Sequence, residues 1–111
     1  MASSGIAAGK LRHSVVFESL QTKTNKYNER EIIGWDEAFK DRVALTPLTG
    51  TETFTSDMVD AEVSHKVEMR WRPDVTTKLR MIYHGRIFEI RSTLNIDEAD
   101  RVLELQVTEK V

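Results

Sequence analysis

Apolar and polar residues alternate with a period of two along most of the chain, and this pattern carries the structural reading. Val67, Met69 and Trp71 take turns with Glu68, Arg70 and Arg72, and the same rhythm resumes after Lys78. A period of two is that of a strand with one buried and one wet face, not of a helix. Residues 11–20 mix β-branched and aromatic side chains with polar ones, which predicts a strand with Val15 and Phe17 on one face. A polar, turn-forming stretch follows over 21–30 and predicts a first hairpin. Its second strand lies within 31–48, where Ile33 and Trp35 alternate and Val43, Ala44 and Leu45 form a short buried run. Pro47 belongs at an end, because it cannot donate to a ladder.

His84-Gly85 separates two strand-like runs. A two-residue type I′ turn needs positive φ at both positions, which Gly accepts freely and His tolerates. Counting back from the turn pairs Tyr83 with Arg86, Ile82 with Ile87, Met81 with Phe88, Arg80 with Glu89 and Leu79 with Ile90. Apolar then meets apolar on one face and arginine meets glutamate on the other, each pair contributing about 0.2–1 kcal/mol. The strand continues to Ile96, turns over 97–100, and returns with Leu103, Leu105 and Val107 on one face. The expected fold is all-β: a small antiparallel β-barrel or sandwich of about six strands. Residues 49–65 break the rhythm. Phe54, Met58 and Ala61 fall at helical spacing among threonines and serine, which predicts a long loop carrying one short helix.

At 111 residues the chain is read as one domain, with 1–10 a flexible N-terminal arm that holds no long apolar run. There is no cysteine, so disulfide frameworks and thiolate metal sites are excluded. His13, His65 and His84 stand far apart, and Asp97, Glu98 and Asp100 lack the spacing of a calcium loop. No nucleophile elbow or phosphate-cradling glycine loop is present, so neither an enzyme nor a cofactor is expected. Sixteen Lys and Arg against eighteen Asp and Glu, interspersed, argue against a dedicated DNA-binding domain. One segment is locally basic: Arg70, Arg72, Arg80, Arg86 and Arg91, with Lys66 and Lys78, interleave with Trp71, Tyr83 and Phe88. That keeps a barrel-type single-stranded nucleic-acid-binding module as the alternative. The register assigns Phe88 and Trp71 to the apolar side, which makes most of these arginines the wet face of a barrel.

The order of "AGKLRHSVVFE", a lone Trp35, "VALTPLTGTETF", "SHKVEMRWRPDV" and "LRMIYHGRIFEIRSTLNIDEADRVLEL" resembles the phage head closure family, also called head-tail joining or head-tail adaptor proteins, of long-tailed phages and prophages. The chain departs from it in carrying Tyr27-Asn28-Glu29 where a glycine is common and Arg42-Val43 where a tryptophan is common. The resemblance implies a β-barrel that assembles into a ring between the portal or adaptor of the DNA-filled head and the tail proteins. Packaged DNA passes through its channel and is retained there, with no catalysis, no cofactor and no membrane. It places the protein in the virion, and in the host cytoplasm during assembly. It also gives the long loop a purpose in contacts between subunits, mapped onto Gly50, Thr51, Glu52, Phe54, Met58 and Val59. The expectation is a monomer in isolation whose residues 50–64 are mobile and order only in the ring.

Overall fold

The computed structural model describes residues 8–48 and 63–110. Six antiparallel strands close into one barrel: β1 (His13–Thr24), β2 (Arg30–Pro47), β3 (His65–Arg70), β4 (Arg80–Tyr83), β5 (Arg86–Asn95) and β6 (Val102–Lys110), in the order β1-β2-β3-β6-β5-β4. Of the two expected architectures it is the barrel that forms. The expected short helix lies outside the described residues. Within the expected N-terminal arm, Ala8–Lys10 forms a 3-10 turn, and Leu11 behind it is buried.

Period-two burial fills the barrel. Val15 and Phe17, Val67 and Met69, Phe88 and Ile90, and Leu103, Leu105 and Val107 all point inward, joined by Val43 and Met81. Each fully buried side chain of this kind contributes about 1.5–3 kcal/mol relative to exposure. The β4–β5 register agrees with the expectation from Arg80↔Glu89 to Tyr83↔Arg86, and His84 (φ 51) and Gly85 (φ 78) both hold the positive φ that the turn demands. Two details differ. Leu79 precedes β4 and its N–H bonds the Thr76 carbonyl, so it does not pair with Ile90. Arg80 and Glu89 face each other in register but ion-pair elsewhere, Arg80 with Glu18 at 2.7 Å and Glu89 with Lys110 at 3.4 Å. Arg80 has a glutamate opposite it on each side, Glu89 on β5 and Glu18 on β1, and it pairs with Glu18 across the seam where β4 and β1 close the barrel.

That seam is narrow: Val16↔Ile82, Phe17↔Met81 and Glu18↔Arg80. Beyond it β1 and β2 run on together as a two-stranded arm. The first hairpin is thus longer than the expected strand ending at residue 20, because Gln21–Thr24 also pairs, with Thr24 opposite Arg30. Asn25 closes the tip. Its side-chain oxygen accepts from the Tyr27 and Glu29 N–H groups at 2.8 and 3.0 Å, and Asn28 adopts φ 65. Asparagine tolerates this left-handed conformation and so replaces a glycine. Two bulges shape the arm. Ala38 is the extra residue opposite Phe17 and Glu18, and Ile33 the extra residue opposite Gln21 and Thr22, beside Gly34 at φ 145. Bulges bend a strand and increase its twist. The arm stretches the molecule to 54 Å and raises its radius of gyration to 15.5 Å, against about 13 Å for a compact chain of this length.

Candidate functional site

The structure disperses the histidines. His13 accepts a bond from the Leu45 N–H at 3.2 Å, His65 is buried against Ser64 and Phe88, and His84 sits in its turn. Burial, with Arg86 nearby, pushes the His65 pKa down. Asp97, Glu98 and Asp100 form a turn whose positive φ values replace the missing glycine, and no cluster of metal-ligating side chains occurs among the described residues. The Ser64 hydroxyl lies 2.8 Å from His65 Nδ1 and accepts from the Glu109 N–H at 2.8 Å, which ties this half-buried pair to β6.

Within the basic segment, Arg72, Arg80 and Arg86 are paired with carboxylates. Arg72 bonds both carboxylate oxygens of Asp74, at 2.9 and 3.0 Å, and reaches Asp41 at 3.2 Å while its guanidinium stacks on Phe39. The bond to Asp74 raises the Arg72 pKa, and the same bond holds Asp74 below its usual range. Arg80 pairs with Glu18 and lies over the Trp35 ring. Arg86 makes a two-pronged contact with Glu109 at 2.9 Å on each side, holding that carboxyl low. Phe88 is fully buried and Trp71 and Tyr83 are half-buried against the core. Stacking on bases needs exposed rings and free cations. Here the aromatics belong to the core and three of the arginines are neutralised in place.

A surface not expected from the sequence lies along the arm. Leu20 opposes Trp35 and Thr22 opposes Ile32, the two-residue step on β1 and the Ile33 bulge on β2 placing all four on one face, and Ile32 and Ile33 are 68% and 60% exposed. The strip runs into a cleft of about 310 Å³ between the arm and the β4–β5 hairpin, floored by Trp35, Leu79, Ile87 and Ile90. Lys78, Arg80, Arg91 and Lys110 line it against one carboxylate, Glu89. The expected strand period in 31–35 was a clue to this face, but burial could not be assigned without knowing where the barrel stops. Gly50, Thr51, Glu52, Phe54, Met58 and Val59, the residues expected to make contacts between subunits, lie outside the described residues.

The family model for phage head completion proteins matches residues 6–110. Among solved structures, protein SF1141 from Shigella flexneri 2a superposes with a TM-score of 0.76 at 18% identity, over 96% of this chain and 98% of that one. A chain from the virion of a native gene transfer agent particle superposes with a TM-score of 0.64 at 17% identity, over 91% and 96%. At these identities the likeness speaks for the shared barrel. Comparison with curated proteins finds no match.

Proposed function

We propose, from the premise that this chain belongs to the phage head completion protein family, that it is a non-enzymatic connector forming a ring between the portal or adaptor of the filled head and the tail. The observation that carries this reading is the family match across nearly the whole chain, residues 6–110. The fold shared with a chain of a virion particle supports it. The ring retains packaged DNA, and Gly50, Thr51, Glu52, Phe54, Met58 and Val59 of each copy contribute to contacts with neighbouring subunits. The basic stripe does not turn the barrel into a nucleic-acid module, since Arg72, Arg80 and Arg86 already hold carboxylates.

Deleting the gene from a phage or inducible prophage that encodes it tests the reading. The expected result is heads that lose DNA and fail to take up tails, with free tails accumulating, and rescue by the chain supplied in trans. Normal virions from the deletion strain, or purified virions that lack the chain, would overturn it. Tight retention of single-stranded DNA on filters at low salt, falling steeply as salt rises, would favour the nucleic-acid module instead.

A further inference from the structure

We propose that two copies of this chain pair through their arms, the apolar strips face to face and antiparallel, about a twofold axis level with the Gln21–Gly34 rung. The free chain is then a reversible dimer in place of the monomer expected from the sequence.

The arm has two unlike faces. Register sets Leu20 beside Trp35 and Thr22 beside Ile32 in the middle of one face. Thr24 and Arg30 flank them on the tip side, Glu18 and Glu37 on the root side. Met81 points into the barrel, so its neighbour Arg80, which holds Glu18 and lies over the Trp35 ring, marks this as the outer face. The opposite face is polar, with Lys23 beside Glu31 and Gln21 donating to Asp36 at 3.0 Å. On the outer face Ile32 is 68% exposed, and the bulged Ile33 next to it 60%. A second sheet packed about 10 Å away is the ordinary way to cover the apolar side of such a ribbon.

The outer face is also complementary to itself. Its four rungs fall at two-residue steps along β1, so Arg30 at one end and Glu37 at the other are equally far from the centre at Gln21. Both are exposed. A twofold axis in the plane of the interface and across the strands lays Ile32 on Trp35 of the second copy and Leu20 on its Thr22. The same operation brings Arg30 to Glu37 of the second copy, and does so twice. The other face-to-face twofold, with the arms parallel, crowds Glu18 and Glu37 of both copies together at one end. Juxtaposed like charges select against that arrangement.

Size sets the strength. The strip covers residues 18–24 of β1 and their partners on β2, a face about 20 Å long at about 3.3 Å per residue and two strands, about 10 Å, wide. That is at the small end of specific interfaces, where association is reversible, with a dissociation constant on the order of 10 μM. A twofold contact closes on itself and does not propagate, so the pair must part before copies assemble into a ring. Pairing of the free chain in solution is independent of the connector reading, and either can fail without the other.

Sedimentation velocity on the full chain is the test, from about 1 to about 200 μM so as to bracket that constant. A shift from one copy to two is expected. Arg30→Glu alone and Glu37→Arg alone should each weaken association about tenfold, because each sets like charges against one another at both ends. An equimolar mixture of the two variants restores both opposite-charge contacts and should pair as well as the native chain, which also shows that both fold. Isotope-filtered nuclear Overhauser contacts in a mixed labelled and unlabelled sample should join Ile32 methyls of one copy to the Trp35 ring of the other. A chain that stays monomeric throughout, assemblies larger than two, a mixture no better than its components, or a dimer without the Ile32–Trp35 contact would each overturn the proposal.

Discussion

The same two strands live in two environments. Over 13–18, β1 is held by β2 on one edge, with β4 on the other over 16–18, and its Val15 and Phe17 are buried. Over 19–24 it keeps only β2 among the described residues, and the side chains opposite are exposed. An isolated two-stranded ribbon is marginal in water, so the barrel end is stabilised by its core while the arm relies on turn chemistry and bulges. Bulk apolar content does not separate the two regions. What separates them is whether a third strand and an opposing wall exist to cover the apolar face, and where they do not, the exposed isoleucines point to a partner.

The sharpest way to break this contrast is to remove a wall of the core. Phe88 is fully buried and packs edge-on to His65 at 5.1 Å. Phe88→Ala should cost about 3–5 kcal/mol by lost burial plus the cavity left behind. Urea unfolding followed by Trp fluorescence would report it, and a loss under 1 kcal/mol would mean that the barrel is loosely packed. At the arm tip the expected cost is smaller and local. Asn28→Ala keeps a β-carbon at φ 65 but removes the short polar side chain that makes the left-handed conformation tolerable, costing about 1 kcal/mol, whereas Asn28→Gly should be neutral. Equal behaviour of the two variants would remove the left-handed turn from the account.

The seam between the regions should be intermediate in character. Glu18 and Arg80 meet at 2.7 Å and are each 23% exposed, so solvent screens the pair and Glu18→Gln should cost at most about 1 kcal/mol. Its signature is faster hydrogen exchange at Val16, Phe17 and Met81, with the β3–β6 ladder unchanged. Uniform protection would show that the pair does not hold the closure.

Acid acts on the barrel end first. His65 is buried beside Ser64, with Arg86 and Glu109 the charges around it, and its folded pKa lies below the ordinary 6.5. The unfolded chain therefore binds the proton more readily, so this contribution is full above pH 6.5 and is lost as pH falls from there through the folded value. Asp74 and Glu109, held low by Arg72 and Arg86, lose theirs only at lower pH, below the ordinary carboxylate range. Urea midpoints between pH 8 and 5 should fall for the native chain and flatten for His65→Gln; parallel curves would exclude His65.

How much of this was legible in the sequence divides along the same line. Period-two alternation assigns Val67, Met69, Leu103, Leu105 and Val107 to the core because inside a closed barrel alternation and burial coincide. His84-Gly85 sets a register because its turn chemistry is local. Ile32 and Ile33 have the composition of core residues, and the Ile33 bulge shifts the alternation, so pattern alone could not tell an exposed arm from a buried strand. The partner of Arg80 was hidden for a related reason: Glu18 lies sixty-two residues away and is brought near only by closure.

The smallest expected effect on stability is the one that isolates the arm. Ile32 and Ile33 make little contact with the barrel at 68% and 60% exposure, so Ile32→Ser with Ile33→Ser should change unfolding free energy by no more than about 0.5 kcal/mol. Serine also removes the apolar strip without adding charge, and it leaves Gly34 in place at φ 145 beside the bulge. If the strip is an assembly surface, the double variant stays folded yet forms at least tenfold fewer tailed particles, counted by electron microscopy against the native chain. A variant that unfolds would make the arm part of the barrel's own cooperative unit. One that folds and assembles at native levels would reduce the strip to a tolerated exposure, and the contrast between the two halves of the hairpin would be one of packing alone.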